Sequence, residues 1–70
     1  MWQAMAPVAG LIAKISVKEG QVVERGQIVA FVQCMKTEIP VVAEDGGVVR
    51  SIRVEEGDEV ELGDVILDVC

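Results

Sequence analysis

Seventy residues with a net charge of −6 and no histidine narrow the field before any motif is read. A chain of this length is expected to fold as one domain, residues 1–70, near the lower limit of what can bury a stabilising core unaided. The acidic balance repels phosphate backbones and argues against nucleic acid, and no apolar run approaches a membrane span.

Cys34 and Cys70 are too few for a disulfide framework, and without histidine they complete no structural zinc site. Met1–Ala4 lacks a basic region followed by an apolar core, so no signal peptide is read and a reducing cytoplasm is the expected compartment. The dense acidic run from Glu55 to Asp64 reads as a solvated face.

Twenty Val and Ile stand against three Leu, a bias toward β-branched side chains that suits pleated sheet and disfavours helix. Trp2 and Phe31 are the only aromatics, so thin side chains must build a closely packed core. Met1–Pro7 reads as an edge strand broken by Pro7, which cannot donate a ladder hydrogen bond. From Gly10, Leu11, Ala13, Ile15 and Val17 alternate with Ile12, Lys14 and Ser16, a period of two that predicts a strand with one buried face. Lys18–Gln21 and Glu24–Gln27 are turns around a very short strand at Val22-Val23, and Ile28–Val32 is the next strand. Glu38–Ala43 follows, with Ile39, Val41 and Ala43 on one face and Pro40 placing it at an edge. Asp45-Gly46-Gly47 turns the chain into Val48–Val54, and Val65–Val69 closes it, with Val65, Leu67 and Val69 facing in and Asp68 out. Short strands at such spacing, with Gly at the breaks, indicate an all-β sandwich or barrel.

The chain also says the same thing twice. Residues 6–32 laid over residues 43–69, an offset of 37, agree at ten positions, among them Ile15/Ile52, Glu19/Glu56, Gly20/Gly57, Glu24/Glu61 and Gly26/Gly63. Two similar halves are expected to be related by a pseudo-twofold axis, with the intervening turn Cys34-Met35-Lys36-Thr37 on or near it. That turn is unusual, because it alone contains no Gly. A tight two-residue hairpin needs positive φ, which larger residues adopt only with strain, and strain gathers at functional sites. Taken singly, an exposed Lys is a solvated charge, Met35 an apolar cover and Cys34 a small half-buried hydrophobe. Placement between the two copies is what singles out Lys36.

Met35-Lys36 within Cys34–Thr37, with Ala6-Pro7, Gly10, Glu19-Gly20, Gly26-Gln27, Gly46-Gly47, Glu56-Gly57-Asp58 and Gly63-Asp64 around it, resembles the biotinyl/lipoyl attachment domain family over essentially the whole chain. The biotinyl branch carries an Ala-Met-Lys-Met-like tetrapeptide on its hairpin, and here Cys34 replaces the usual Ala or Ser and Thr37 the second Met. The resemblance implies a flattened barrel of two four-stranded antiparallel sheets, the modified Lys at one end and both termini at the other. It implies biotin amide-linked to Lys36 by a biotin protein ligase, with Met35 helping the ligase or the carboxylase recognise the hairpin. It further implies a non-catalytic carrier whose biotin moves a carboxyl group between biotin carboxylase and carboxyltransferase sites. Two other readings stay open. A lipoyl carrier of a 2-oxoacid dehydrogenase is disfavoured by Met35, where an acidic residue is expected. An unmodified interaction module of the same fold is disfavoured by Met35-Lys36.

Overall fold

The computed structural model describes residues 1–70 and contains strands without any helix: β1 (Trp2–Met5), β2 (Gly10–Ile15), β3 (Val22–Val23), β4 (Ile28–Cys34), β5 (Thr37–Val42), β6 (Gly47–Ile52), β7 (Glu59–Val60) and β8 (Val65–Val69). They form two four-stranded antiparallel sheets, ordered β1-β8-β6-β3 (sheet one) and β5-β4-β2-β7 (sheet two). Fifteen buried residues drawn from both sheets and their connections make one core, all of them apolar, and the molecule measures 31 × 19 × 18 Å. This is the flattened barrel of paired sheets that the strand pattern and the family resemblance call for. Pro40 lies within the edge strand β5, as its missing N–H requires, whereas β1, also an edge strand, ends at Met5 and leaves Pro7 in the bend that follows.

The repeat is structural as well as sequential. Adding 37 carries β1 to β5, β2 to β6, β3 to β7 and β4 to β8, and turns the strand order of sheet one into that of sheet two. Connecting hydrogen bonds repeat too: Ile12 N–H donates to the Asp58 carbonyl at 2.8 Å, and Val49 N–H to that of Gln21 at 2.9 Å. The position of the axis, however, corrects the sequence reading. β4 pairs with β5 as β8 pairs with β1, so the rotation exchanges the Cys34–Thr37 turn with the chain ends, where Trp2 is paired with Val69. The turn therefore lies away from the axis, across it from the two ends. What meets along the axis is the pair of edge strands β1 and β5, with a shallow groove of about 390 Å³ between them, lined by Met5, Pro7, Pro40, Val42 and Leu62.

Strand faces also depart from simple alternation, and the cause is a set of four β-bulges. Ala13 is the extra residue where Ile12 pairs with Val32 and Lys14 with Phe31, and Arg50 is its equivalent on β6. Each inserted residue reverses the phase of the strand. Ile12 and Val49 are therefore buried while Leu11 and Val48 face solvent, the reverse of what uninterrupted alternation from Val17 assigns. A second pair sits at Val29 on β4 and Ile66 on β8. There two consecutive side chains point inward, and Val29, Ala30, Ile66 and Leu67 are all fully buried. Ile66 thus joins the core beside Leu67 and Val69, whereas Val65 is only half-buried.

The repeated Glu residues have a matching job. Glu56 Oε2 accepts from Ile15 N–H at 3.1 Å and Glu19 Oε2 from Ile52 N–H at 3.0 Å. Both amides lie two residues beyond a bulge, and each carboxylate supplies a side-chain acceptor to the end of its strand.

On the outer face of sheet one, Asp68 gathers three donors: Gln3 Nε2 at 2.9 Å, Ser51 Oγ at 2.7 Å and Arg53 Nε at 2.7 Å. The hydrogen bonds from Gln3, Ser51 and Arg53, in that order of weight, hold its carboxyl at about 2, well below the ordinary 3.8. The unfolded chain therefore takes up this proton first as pH falls. Its stabilising contribution is complete above 3.8 and is lost as pH drops toward and below about 2. The gap in melting temperature between the wild type and Asp68→Asn should accordingly narrow as pH falls from 5 to 2 and close only below about 2. A gap of constant size would show that the carboxylate charge is irrelevant.

Candidate functional site: the β4–β5 hairpin tip

β4 and β5 form the longest ladder in the molecule, running from Ile28↔Val42 to Cys34↔Thr37, so the turn between them is the two residues Met35 and Lys36. Only Met35, at φ 58°, has positive φ among non-glycine residues. Positive φ at the first central position alone is the pattern of a type II′ turn, whose favoured occupant there is Gly. A backbone held in this region by an L-residue stores about 1–3 kcal/mol. The strain foreseen from the missing Gly is thus real, and it falls on the residue before Lys36. Met35→Gly should raise unfolding stability by about 1 kcal/mol, and Met35→Val should lower it by a similar amount, as read by urea denaturation.

The base of the hairpin is held by a close backbone approach. A Cβ at Gly10 would collide with the Gln33 carbonyl, so the start of β2 can lie against the end of β4 only because position 10 has no side chain. Beyond this support the tip projects freely. Met35 is 92% exposed, the highest value of any large apolar residue in the chain, and Lys36 and Thr37 are exposed beside it. Cys34 is half-buried and its thiol is free. Lys36 forms no ion pair, the one salt bridge in the molecule being Arg53–Asp68.

The structure therefore sets Met35 and Lys36 together at one rigidly supported point, with Cys34 and Thr37 as the closing pair of the ladder. The arrangement offers a solvent-exposed primary amine with unobstructed approach. The chain has no histidine, and no group of three or more His, Cys, Asp or Glu side chains is placed to hold a metal ion. Such a tip can be acylated by another protein's chemistry and can carry what it receives. Gly10 and Gln33 are the supporting residues whose role the sequence alone left unassigned, because their contact joins strands that a linear reading does not bring together.

Comparison with known proteins agrees with this geometry. Residues 3–69 match the biotin/lipoyl family model, described as "Biotin-requiring enzyme". The chain is 45% identical over 62 residues to a biotin/lipoyl attachment protein of Bacillus subtilis (strain 168), covering 89% of this chain and 85% of that one. It is 41% identical over 44 residues to the alpha3 subunit of a biotin-dependent acyl-coenzyme A carboxylase of Mycobacterium leprae (strain TN), covering 63% of this chain and 7% of that one. The Kluyveromyces lactis urea carboxylase structure superposes with a TM-score of 0.92 at 32% identity, over 99% of this chain and 6% of that one.

Proposed function

Because the chain belongs to the biotin/lipoyl attachment family, we propose that it is a biotin carboxyl carrier that holds its cofactor through an amide bond to Lys36. The observation that carries this reading is Met35-Lys36 forming the whole turn of an exposed hairpin. Met in place of an acidic residue before the Lys favours biotin over lipoate. The names of the carboxylase relatives support the same choice.

In this reading the deprotonated Lys36 Nζ attacks the activated carboxyl group of biotin offered by a biotin protein ligase. The C–N bond forms, the activating group leaves, and the surplus amine proton passes to solvent. Amide formation removes the ammonium charge, so the tip enters a partner's active site without desolvating a cation. Met35, held outward by its strained backbone, is the side chain that the ligase or the carboxylase reads. Biotin, once attached, supplies the capacity to hold a carboxyl group, and this chain supplies position. Tethering raises the local concentration of the group at the biotin carboxylase and carboxyltransferase sites in turn. The carrier itself catalyses nothing.

Intact-mass measurement of protein produced with an active biotin ligase tests the reading. A single biotin-sized addition and retention on streptavidin are expected. An unmodified mass overturns the proposal, and a lipoyl-sized addition moves the protein to the 2-oxoacid dehydrogenase alternative.

A further inference from the structure

The pseudo-twofold makes each sheet an internal control for the other, and one surface fails to match its counterpart. At the end of sheet two that bears the hairpin, four solvent-facing positions cross the sheet in a row: Glu38, Gln33, Leu11 and Glu59. Subtracting or adding 37 gives the equivalent row of sheet one: Met1, Cys70, Val48 and Val22. Val48 exchanges backbone hydrogen bonds with Cys70 at 3.0 and 2.9 Å and pairs with Val22 on its other side. All four are exposed, Met1 at 89% and Val22 at 67%. The fold does not require apolar residues here, since three of the four equivalent positions are polar or charged. Exposed apolar side chains grouped in one row, here ending at the charged N-terminus of Met1, mark a surface that another protein covers.

The chemistry beside that row says what kind. A shallow concavity on the same face is lined by Met1, Gln3, Arg50, Ser51, Arg53 and Asp68. Asp68 is saturated by Gln3, Ser51 and Arg53, which fixes their side chains. Arg50 is the extra residue of its bulge and forms no ion pair. The equivalents of Arg50 and Arg53 in sheet two are Ala13 and Ser16, although the exposed Lys14 stands at the place of Ser51, so sheet two carries one cation in this region where sheet one carries two beside Asp68. Two of the chain's six basic residues meet here on a molecule of net charge −6. That net charge repels polyanions such as nucleic acid or an anionic bilayer, yet a single carboxylate in an apolar segment meets a locally positive surface.

We propose that this face of sheet one is a docking surface for an extended segment of a partner protein, one that lays apolar side chains over Val22 and Val48 and a carboxylate on Arg50. β3 is the edge strand of sheet one, so the segment also finds open backbone groups beside Val22. The surface lies across the twofold from the hairpin tip, so docking here holds the molecule while leaving Lys36 free.

Amide and arginine Nε chemical shifts of the whole chain, titrated with a capped hexapeptide alternating Glu and Leu, test this. Saturable shifts are expected at Val22, Val48, Cys70 and Arg50 Nε, with the hairpin tip unmoved. Arg50→Glu and Val22→Ser, both exposed and free of side-chain hydrogen bonds, should each weaken binding about fivefold. A matched Lys–Leu peptide should bind far more weakly. Equal binding of the two peptides, undiminished binding by Arg50→Glu, or shifts confined to the groove between β1 and β5 would overturn the proposal. So would concentration-dependent shifts without peptide, which would assign the face to a second copy of the chain. None of these outcomes depends on whether Lys36 is modified.

Discussion

Lys36→Arg is expected to abolish covalent loading while leaving the unfolding midpoint unchanged. Lys36 is exposed and makes no ion pair, and substitutions at such surface positions stay within about 0.5 kcal/mol. Arginine keeps the positive charge and the length of the side chain, so a ligase attracted by either would still dock. It cannot supply a nucleophile, because a guanidinium stays protonated at any accessible pH. Loading read by intact mass or streptavidin retention should therefore fall below about one part in a hundred, which corresponds to an acylation barrier raised by more than about 2.7 kcal/mol. Lys14 and Lys18 remain in the variant and serve as internal controls for nonspecific acylation. Loading that persists in Lys36→Arg would transfer the attachment point to one of them and remove the hairpin from the function.

The largest effect on stability is expected at Ile66. It is fully buried as the bulged residue of β8, and truncating it to Ala should cost about 2–4 kcal/mol. A domain of this size has roughly 4–10 kcal/mol of stability in all, so Ile66→Ala should forfeit a large fraction of it. Val65→Ala, at a half-buried position, should cost less than about 1 kcal/mol. Urea denaturation with matched m-values ranks the two. Plain alternation puts Val65 inside and Ile66 outside and predicts the opposite order, so the pair of variants tests the bulge directly.

That contrast shows where the sequence is legible and where it is not. The repeat, seven of the eight short strands, the edge positions of β1 and β5 and a sandwich or barrel of sheets follow from residue types and their spacing. β7 at Glu59–Val60 does not, and the pairing into two four-stranded sheets is what the family resemblance implies. Side-chain facing does not survive a bulge, because one inserted residue flips every position after it. Nothing local distinguishes Val65-Ile66-Leu67 with a bulge from the same residues without one. The two-residue turn is visible through its missing Gly, and the positive φ of Met35 is the structural form of that signal. The placement of the turn on the axis was a misreading of a different kind. A midpoint in sequence is not a fixed point of a rotation, and here the rotation sends the turn to the chain ends. The Asp68 network is invisible beforehand, since its partners lie 15 to 65 residues away on β1, β6 and the segment after it.

The exchange of tip and ends also makes the fold a nearly closed ring. Cys70 stands where Gln33 does and Met1 where Glu38 does, so a link matching Cys34, Met35, Lys36 and Thr37 would be four residues long. Joining Cys70 to Met1 through Cys-Met-Lys-Thr would close the ladder of β8 and β1 into a second hairpin of the same register. Opening the ring elsewhere, at the Gly20 or Gly57 turn, would give a permuted chain with a loading point at each pole. The repeat thus describes a symmetric frame with two equivalent poles, one of which bears the Met35-Lys36 turn.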